Sequence, residues 1–153
     1  MFDDDDRVES ARRLAEEGDS LAVAEFRAIA VDEWADDDVR LEAARELAEI
    51  DPRAAADACR SIALDESVDD DVRLEAAREL TEIDPRAAAD ACCSIALDQG
   101  VDDDVRLEAA RLAEGDSRSA VAAFRGIAAD EGVDDDVREE AALALAEIGS
   151  IAP

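Results

Sequence analysis

The chain has 153 residues, of which 44 are acidic and 16 basic, for a net charge of -28. That balance excludes nucleic acid and anionic membrane as partners, since both are held by cations that displace counterions or pair with headgroups. Every basic residue is Arg, and Lys, His, Asn and Tyr are absent, which points to a GC-rich or halophilic source.

No apolar run reaches transmembrane length. The opening MFDDDDRVES has neither the basic nor the apolar region of a secretory signal, so a cytoplasmic protein is expected. Acidic, aromatic-poor chains are often disordered. Here the apolar residues recur at helical spacing, which argues for a packed fold.

A unit of about 33 residues recurs along the chain, a period that signals a solenoid whose units bury their apolar faces against one another. The units are 3–35, 36–68, 69–101 and 102–133, with a half unit at 134–153. The second and third are nearly identical, and the first and fourth are worn copies. Each whole unit carries two helical patterns joined by short links, as antiparallel neighbours require.

The first helix of each unit begins at a run of Asp, as at Asp36 or Asp69. These acids supply an N-cap and favourable charge for the helix dipole. Its expected core face in the second unit is Val39, Ala43, Ala44, Leu47, Ala48 and Ile50. Glu42, Arg45 and Glu49 lie on the outer face, where Arg45 is spaced to bridge both acids.

The second helix begins at Asp-Pro-Arg, with Asp51 and Asp84 as N-caps and Pro52 and Pro85 at the first helical position. Its apolar face is Ala55, Ala56, Cys59, Ile62 and Ala63. Two core columns follow from the repeat. Phe26, Cys59, Cys92 and Phe124 form one, and Ile29, Ile62, Ile95 and Ile127 the other. In the fourth unit Ala110 to Gly115 lacks one residue against the third. One residue turns a helix by about 100°, so the first helix there is expected to end early, near Gly115.

The cysteines are Cys59, Cys92 and Cys93. Equivalent positions on stacked helices lie about 8–10 Å apart, too far for a disulfide, so reduced and mostly buried thiols are expected. The Asp runs lack the glycine and the oxygen spacing of a calcium loop. With no His, and with carboxylates everywhere, no catalytic, metal or cofactor set stands out. No enzyme activity is expected.

Asp36, Val39, Arg40, Ala43, Ala44, Leu47, Ile50, Asp51, Pro52, Arg53 and Ala54 return as Asp69, Val72, Arg73, Ala76, Ala77, Leu80, Ile83, Asp84, Pro85, Arg86 and Ala87. This pattern resembles HEAT-like repeats of the short, phycobilin-lyase type, over nearly the whole chain. TPR repeats are the second resemblance. They have a similar length, and the GDS segments at Gly18–Ser20 and Gly115–Ser117 precede Phe26 and Phe124, but the Gly and Tyr of a TPR first helix are missing.

The HEAT-like resemblance implies an all-α fold, an α-solenoid (alpha-alpha superhelix) of about four and a half two-helix repeats. It also implies an inter-repeat ladder in which Arg40, Arg73, Arg106 and Arg138 meet acids of the Asp-rich turns. Asp6 replaces Val in the first unit, which puts the stacking of Arg7 in doubt.

Proteins with such repeats mostly present surfaces to other proteins, so the leading expectation is a non-catalytic scaffold or adaptor with a strongly acidic surface. Its partner would be another protein with a basic surface. The candidate partner-binding residues are the Arg12, Arg45, Arg78, Arg111 column and Trp34, with a self-neutralised solvent-facing stripe as the other reading of the column. Trp34 also fits a cover over the end of the core beside Phe2. Two further functions fit the charge: an acidic nucleic-acid mimic that inhibits a DNA-binding protein, and a salt-adapted module of a larger protein.

Overall fold

A computed structural model describes residues 3–151. Among them are nine α-helices and no strand. In chain order these are α1 (Asp4–Glu16), α2 (Leu21–Ala30), α3 (Asp37–Ile50), α4 (Pro52–Leu64), α5 (Asp70–Ile83), α6 (Pro85–Leu97), α7 (Asp103–Leu112), α8 (Ser117–Ala129) and α9 (Asp135–Ile151). A single 3-10 turn, Ala113–Gly115, lies between α7 and α8.

Within each of two compact units, successive helices pack on one another, as an all-α solenoid of repeats requires. Packing divides the chain into two compact units, Met1–Asp84 and Pro85–Pro153. The boundary falls inside the third repeat, between its two helices, so packing units and sequence copies do not coincide. In the first unit α1, α3 and α5 form one layer and α2 and α4 the other, with contacts within and between layers. In the second, α6 and α8 pack together and against α7, and α9 packs on α7 and α8.

The helix starts follow two rules. Asp51 caps α4 by accepting from the Ala54 N–H at 3.1 Å, and Asp116 caps α8 by accepting from Ser119. Asp36, Asp69 and Asp102 occupy the N-cap position of α3, α5 and α7, but their side chains make no capping bond. The acid after the cap is used instead, between repeats. Asp4 accepts from the Asp36 N–H, Asp37 from that of Asp69 and Asp103 from that of Asp134, at 2.9–3.2 Å. Asp4, Asp37 and Asp103 therefore join neighbouring repeats, while α1 is capped by the Asp3 side chain, which accepts from the Asp6 N–H.

Both predicted core columns are buried: Phe26, Cys59, Cys92 and Phe124 are 0% exposed, and Ile29, Ile62, Ile95 and Ile127 no more than 1%. Ile50, expected in the core, is 43% exposed. It lies in the last turn of α3, and Leu47, one turn earlier and fully buried, takes the core position. Ala48 and Ala56 are only half-buried. The burial of Leu41, Leu74 and Leu107, and of Val68, Val101 and Val133 in the turns, was not anticipated. α7 ends at Leu112 after 10 residues, against 14 in α3 and α5, as the missing residue requires. Gly18, at φ 71, ends the first-repeat turn with its N–H on the Ala15 carbonyl, a left-handed cap that favours glycine.

Candidate functional site

The Arg ladder lies in the interior of the turns. Arg40, Arg73 and Arg106 are 2–3% exposed, and each donates Nε–H to the last-turn carbonyl of the preceding second helix: Ala30, Ala63 and Ala96, at 2.8–3.0 Å. Arg40 then reaches Asp65 at 3.1 Å and Arg106 reaches Asp130 at 3.0 Å. The main acid is thus the one just past the second helix of the same repeat. The Asp-run acid Asp37 lies 3.9 Å from Arg40, a weaker contact than the resemblance implied. Arg7 joins this arrangement despite Asp6, since it meets Asp32 at 2.7 Å and Asp4 at 3.3 Å.

The closing acids share a turn. Asp32 accepts from the Trp34 N–H, Asp65 from Ser67, Asp98 from Gly100 and Asp130 from Gly132, at 2.9–3.0 Å. These bonds hold carboxyls below their usual range: Asp32 through Arg7 and then the Trp34 amide, Asp65 through the Ser67 hydroxyl foremost, and Asp130 through the Gly132 amide and then Arg106. The backbone N–H is the bond common to all four turns, which is why Trp, Ser and Gly are all accepted at this position; Ser67 adds its hydroxyl to Asp65 at 2.6 Å. Trp34 itself is 95% exposed and covers no core. Its expected neighbour Phe2 lies outside the described residues.

The second Arg column lies on the first-helix face. Arg12 bonds Glu42 and, at 2.6 Å, Glu46. Arg45 reaches Glu79 at 2.7 Å and Glu75 at 3.4 Å, and Arg111 reaches Glu140 at 2.7 Å. These Arg side chains bridge to the next repeat, where the expected bridge ran to acids of the same helix. The reason is register: Glu75 and Glu79 are four apart and present two carboxylates together toward α3. Arg78 does take the acid of its own helix, Glu75, at 2.8 Å. The four side chains are 40–54% exposed, so each pair stabilises by only about 0.2–1 kcal/mol.

Between Arg12 and Arg45 lies an open depression of about 540 Å³, lined also by Asp38, Leu41, Glu42, Glu46 and Glu49. Asp38 and Glu49 are exposed, and no ion pair engages either among the described residues. The equivalent positions Asp5, Asp71 and Glu82 are exposed as well. The second helices are different. α2, α4, α6 and α8 carry six Arg (Arg27, Arg53, Arg60, Arg86, Arg118, Arg125) against Glu25, Asp57 and Asp90, and all six Arg are exposed. The whole acidic surplus therefore resides on the first helices and in the turns.

Cys59 and Cys92 are buried free thiols, and burial pushes Cys59 up to about 12. Cys93 is half-buried in a depression with Arg86, Asp90, Asp116 and Arg118. Burial, then Asp90 and Asp116, raise its pKa, which works against a nucleophilic thiolate. Among the described residues no cluster of three or more His, Cys, Asp or Glu is placed to hold a metal ion. None of their helices is long and apolar enough to cross a membrane.

Comparison with known proteins gives no match to a family model, to a curated protein or to a solved structure.

Proposed function

We propose that the chain is a non-catalytic, cytoplasmic protein-binding scaffold of HEAT-like repeats, whose acidic first-helix face receives a partner with a basic surface. One observation carries this reading: the separation of charge between the two kinds of helix. On the first helices Arg40, Arg73 and Arg106 are buried in the ladder, and Arg12, Arg45 and Arg111 are engaged with Glu across repeats. Asp38, Glu49 and their equivalents are left exposed at the same place in each repeat. Rows of unpaired carboxylates on rigid helices favour basic surfaces and steer them at long range.

Periodic carboxylates also support a second reading, in which the partner is a DNA-binding protein and the face occupies its basic groove. Competition by duplex DNA that depends on the DNA sequence separates the two, because a basic surface of any kind yields to duplex DNA without regard to sequence.

The test uses a defined Arg-rich helical peptide and two chains of equal charge. One carries Asp5→Asn, Asp38→Asn and Asp71→Asn on the first helices. The other carries Glu33→Gln, Glu66→Gln and Glu131→Gln in the turns. We expect the first to weaken binding at least tenfold, and the second to change it less than threefold at the same ionic strength. Equal losses would assign the charge to solubility alone and remove the scaffold reading.

A further inference from the structure

Trp34 is the only Trp of the chain and is 95% exposed. The other aromatics among the described residues, Phe26 and Phe124, are 0% exposed. The indole covers no core, and the turn uses only the residue's N–H. Ser67, Gly100 and Gly132, the equivalent residues of the later repeats, are exposed as well. Exposure therefore belongs to the position, and stacking against a neighbouring repeat does not remove it.

The backbone beneath the indole is held in place. The Trp34 N–H donates to Asp32 Oδ1 at 3.0 Å, and Arg7 donates to the other oxygen of Asp32 at 2.7 Å. Ala35, 5% exposed, donates its N–H to the Asp32 carbonyl at 3.1 Å, and the Asp36 N–H donates to Asp4 at 3.2 Å. A large aromatic on a fixed backbone loses little freedom when a partner covers it. Such residues carry much of the binding energy of protein interfaces.

The surroundings select what covers it. Next to Trp34, Ala35 borders an open depression of about 390 Å³, lined also by Asp36, Asp37, Asp38 and Asp69. Asp37 is used between repeats, where it accepts from the Asp69 N–H. Asp36, Asp38 and Asp69 are exposed, and no ion pair engages them among the described residues. Asp38 also lines the depression between Arg12 and Arg45, so this corner is continuous with the acidic first-helix face. An anionic partner meets like charge here. A cation finds carboxylates and a π-face within a few residues of each other. Arg fits both better than Lys, because its planar guanidinium stacks on an indole and still forks to a carboxylate.

We propose that Trp34 is an anchor for an Arg side chain of the basic partner, with the guanidinium stacked on the indole and paired with Asp36 or Asp38. This role rests on the acidic-face reading and adds to it a selection of Arg over Lys that charge alone does not give.

The test titrates the full chain with the Arg-rich helical peptide and with a counterpart in which every Arg is Lys, of equal charge and similar helix propensity. Trp34 emission reports the contact, since the chain has no other Trp and no Tyr. Anisotropy of a dye on the peptide reports affinity. Trp34→Ser puts into the first repeat the residue that the second carries as Ser67, so the turn is kept and the charge is unchanged. We expect a saturable change of Trp34 emission with the Arg peptide, and binding of the Lys peptide weaker by about threefold or more. Trp34→Ser weakens the Arg peptide by about fivefold or more and removes the difference between the two peptides. Undiminished binding by the Trp34→Ser chain, equal affinity of the native chain for the two peptides, or binding without a change of emission would overturn the proposal. In any of those cases, a tenfold loss on neutralising Asp5, Asp38 and Asp71 leaves the acidic-face reading standing; binding of neither peptide removes both.

Discussion

Arg40 and Arg45 lie on the same helix and hold different things. Arg40 is buried between a carbonyl of one repeat and a carboxylate of its own, whereas Arg45 is half-exposed between two glutamates. Removing a buried, hydrogen-bonded charge leaves its partners unmatched, and removing a surface one costs little. Arg40→Ala is therefore expected to cost about 2–4 kcal/mol in urea unfolding, and Arg45→Ala less than about 1 kcal/mol. Similar losses for the two would show that the ladder does not hold the turns.

Cys59 gives a pH signature. Its folded pKa is raised, from 9.0 to about 12, so the unfolded state releases the proton first. The stabilisation is complete below pH 9 and is lost as pH rises toward 12. Within that window the slope approaches about 1.4 kcal/mol per pH unit. Cys59→Ala is expected to flatten the fall in the unfolding midpoint over this range; an unchanged slope would assign the fall to other groups.

Both Arg columns were legible in the sequence, because a residue recurring with the repeat must recur in place. Their partners were not, since pairing depends on how neighbouring helices stand in register. Trp34 misled for a related reason: large apolar residues suggest cover, but its position contributes only an amide to the turn.

At the scale of the element, the two kinds of helix start predict different costs. Asp51→Ala removes a capping bond and is expected to destabilise by about 1 kcal/mol. Asp36→Ala removes none, and is expected to change stability by less than about 0.5 kcal/mol. Urea midpoints of the two variants check this, and a larger loss for Asp36→Ala would contradict it. Gly126, within α8, faces the tip of Leu97, where an added Cβ would lie 2.2 Å from Cδ2. Leu97 is 45% exposed and free to swing outward. Gly126→Ala is therefore expected to stabilise by about 0.5 kcal/mol through helix propensity.

The elements themselves were largely legible, because repeat period, caps and prolines agreed at each boundary. The early stop of α7 followed from one missing residue. The exposure of Ile50 did not, because periodicity places a residue on a face without showing where the covering helix ends.

At the scale of the whole molecule, a charge of -28 repels itself in the folded state. Raising salt from about 0.01 M to 1 M shortens the Debye length from roughly 30 to 3 Å. The thermal midpoint is expected to rise with it, and a flat response would remove the salt-adaptation reading. The solenoid class was readable from the repeat, whereas the division of charge between first and second helices needed the layers. Sequence alone gives a total; the fold assigns the surplus to particular helices and turns.

The most direct measurement of the central claim is an amide-by-amide footprint of the Arg-rich helical peptide on the full chain at physiological salt. The account expects protection and shifts along the first-helix layer, at Asp38, Glu49 and their equivalents, with the second helices unaffected. A footprint spread evenly over turns and both layers would contradict it.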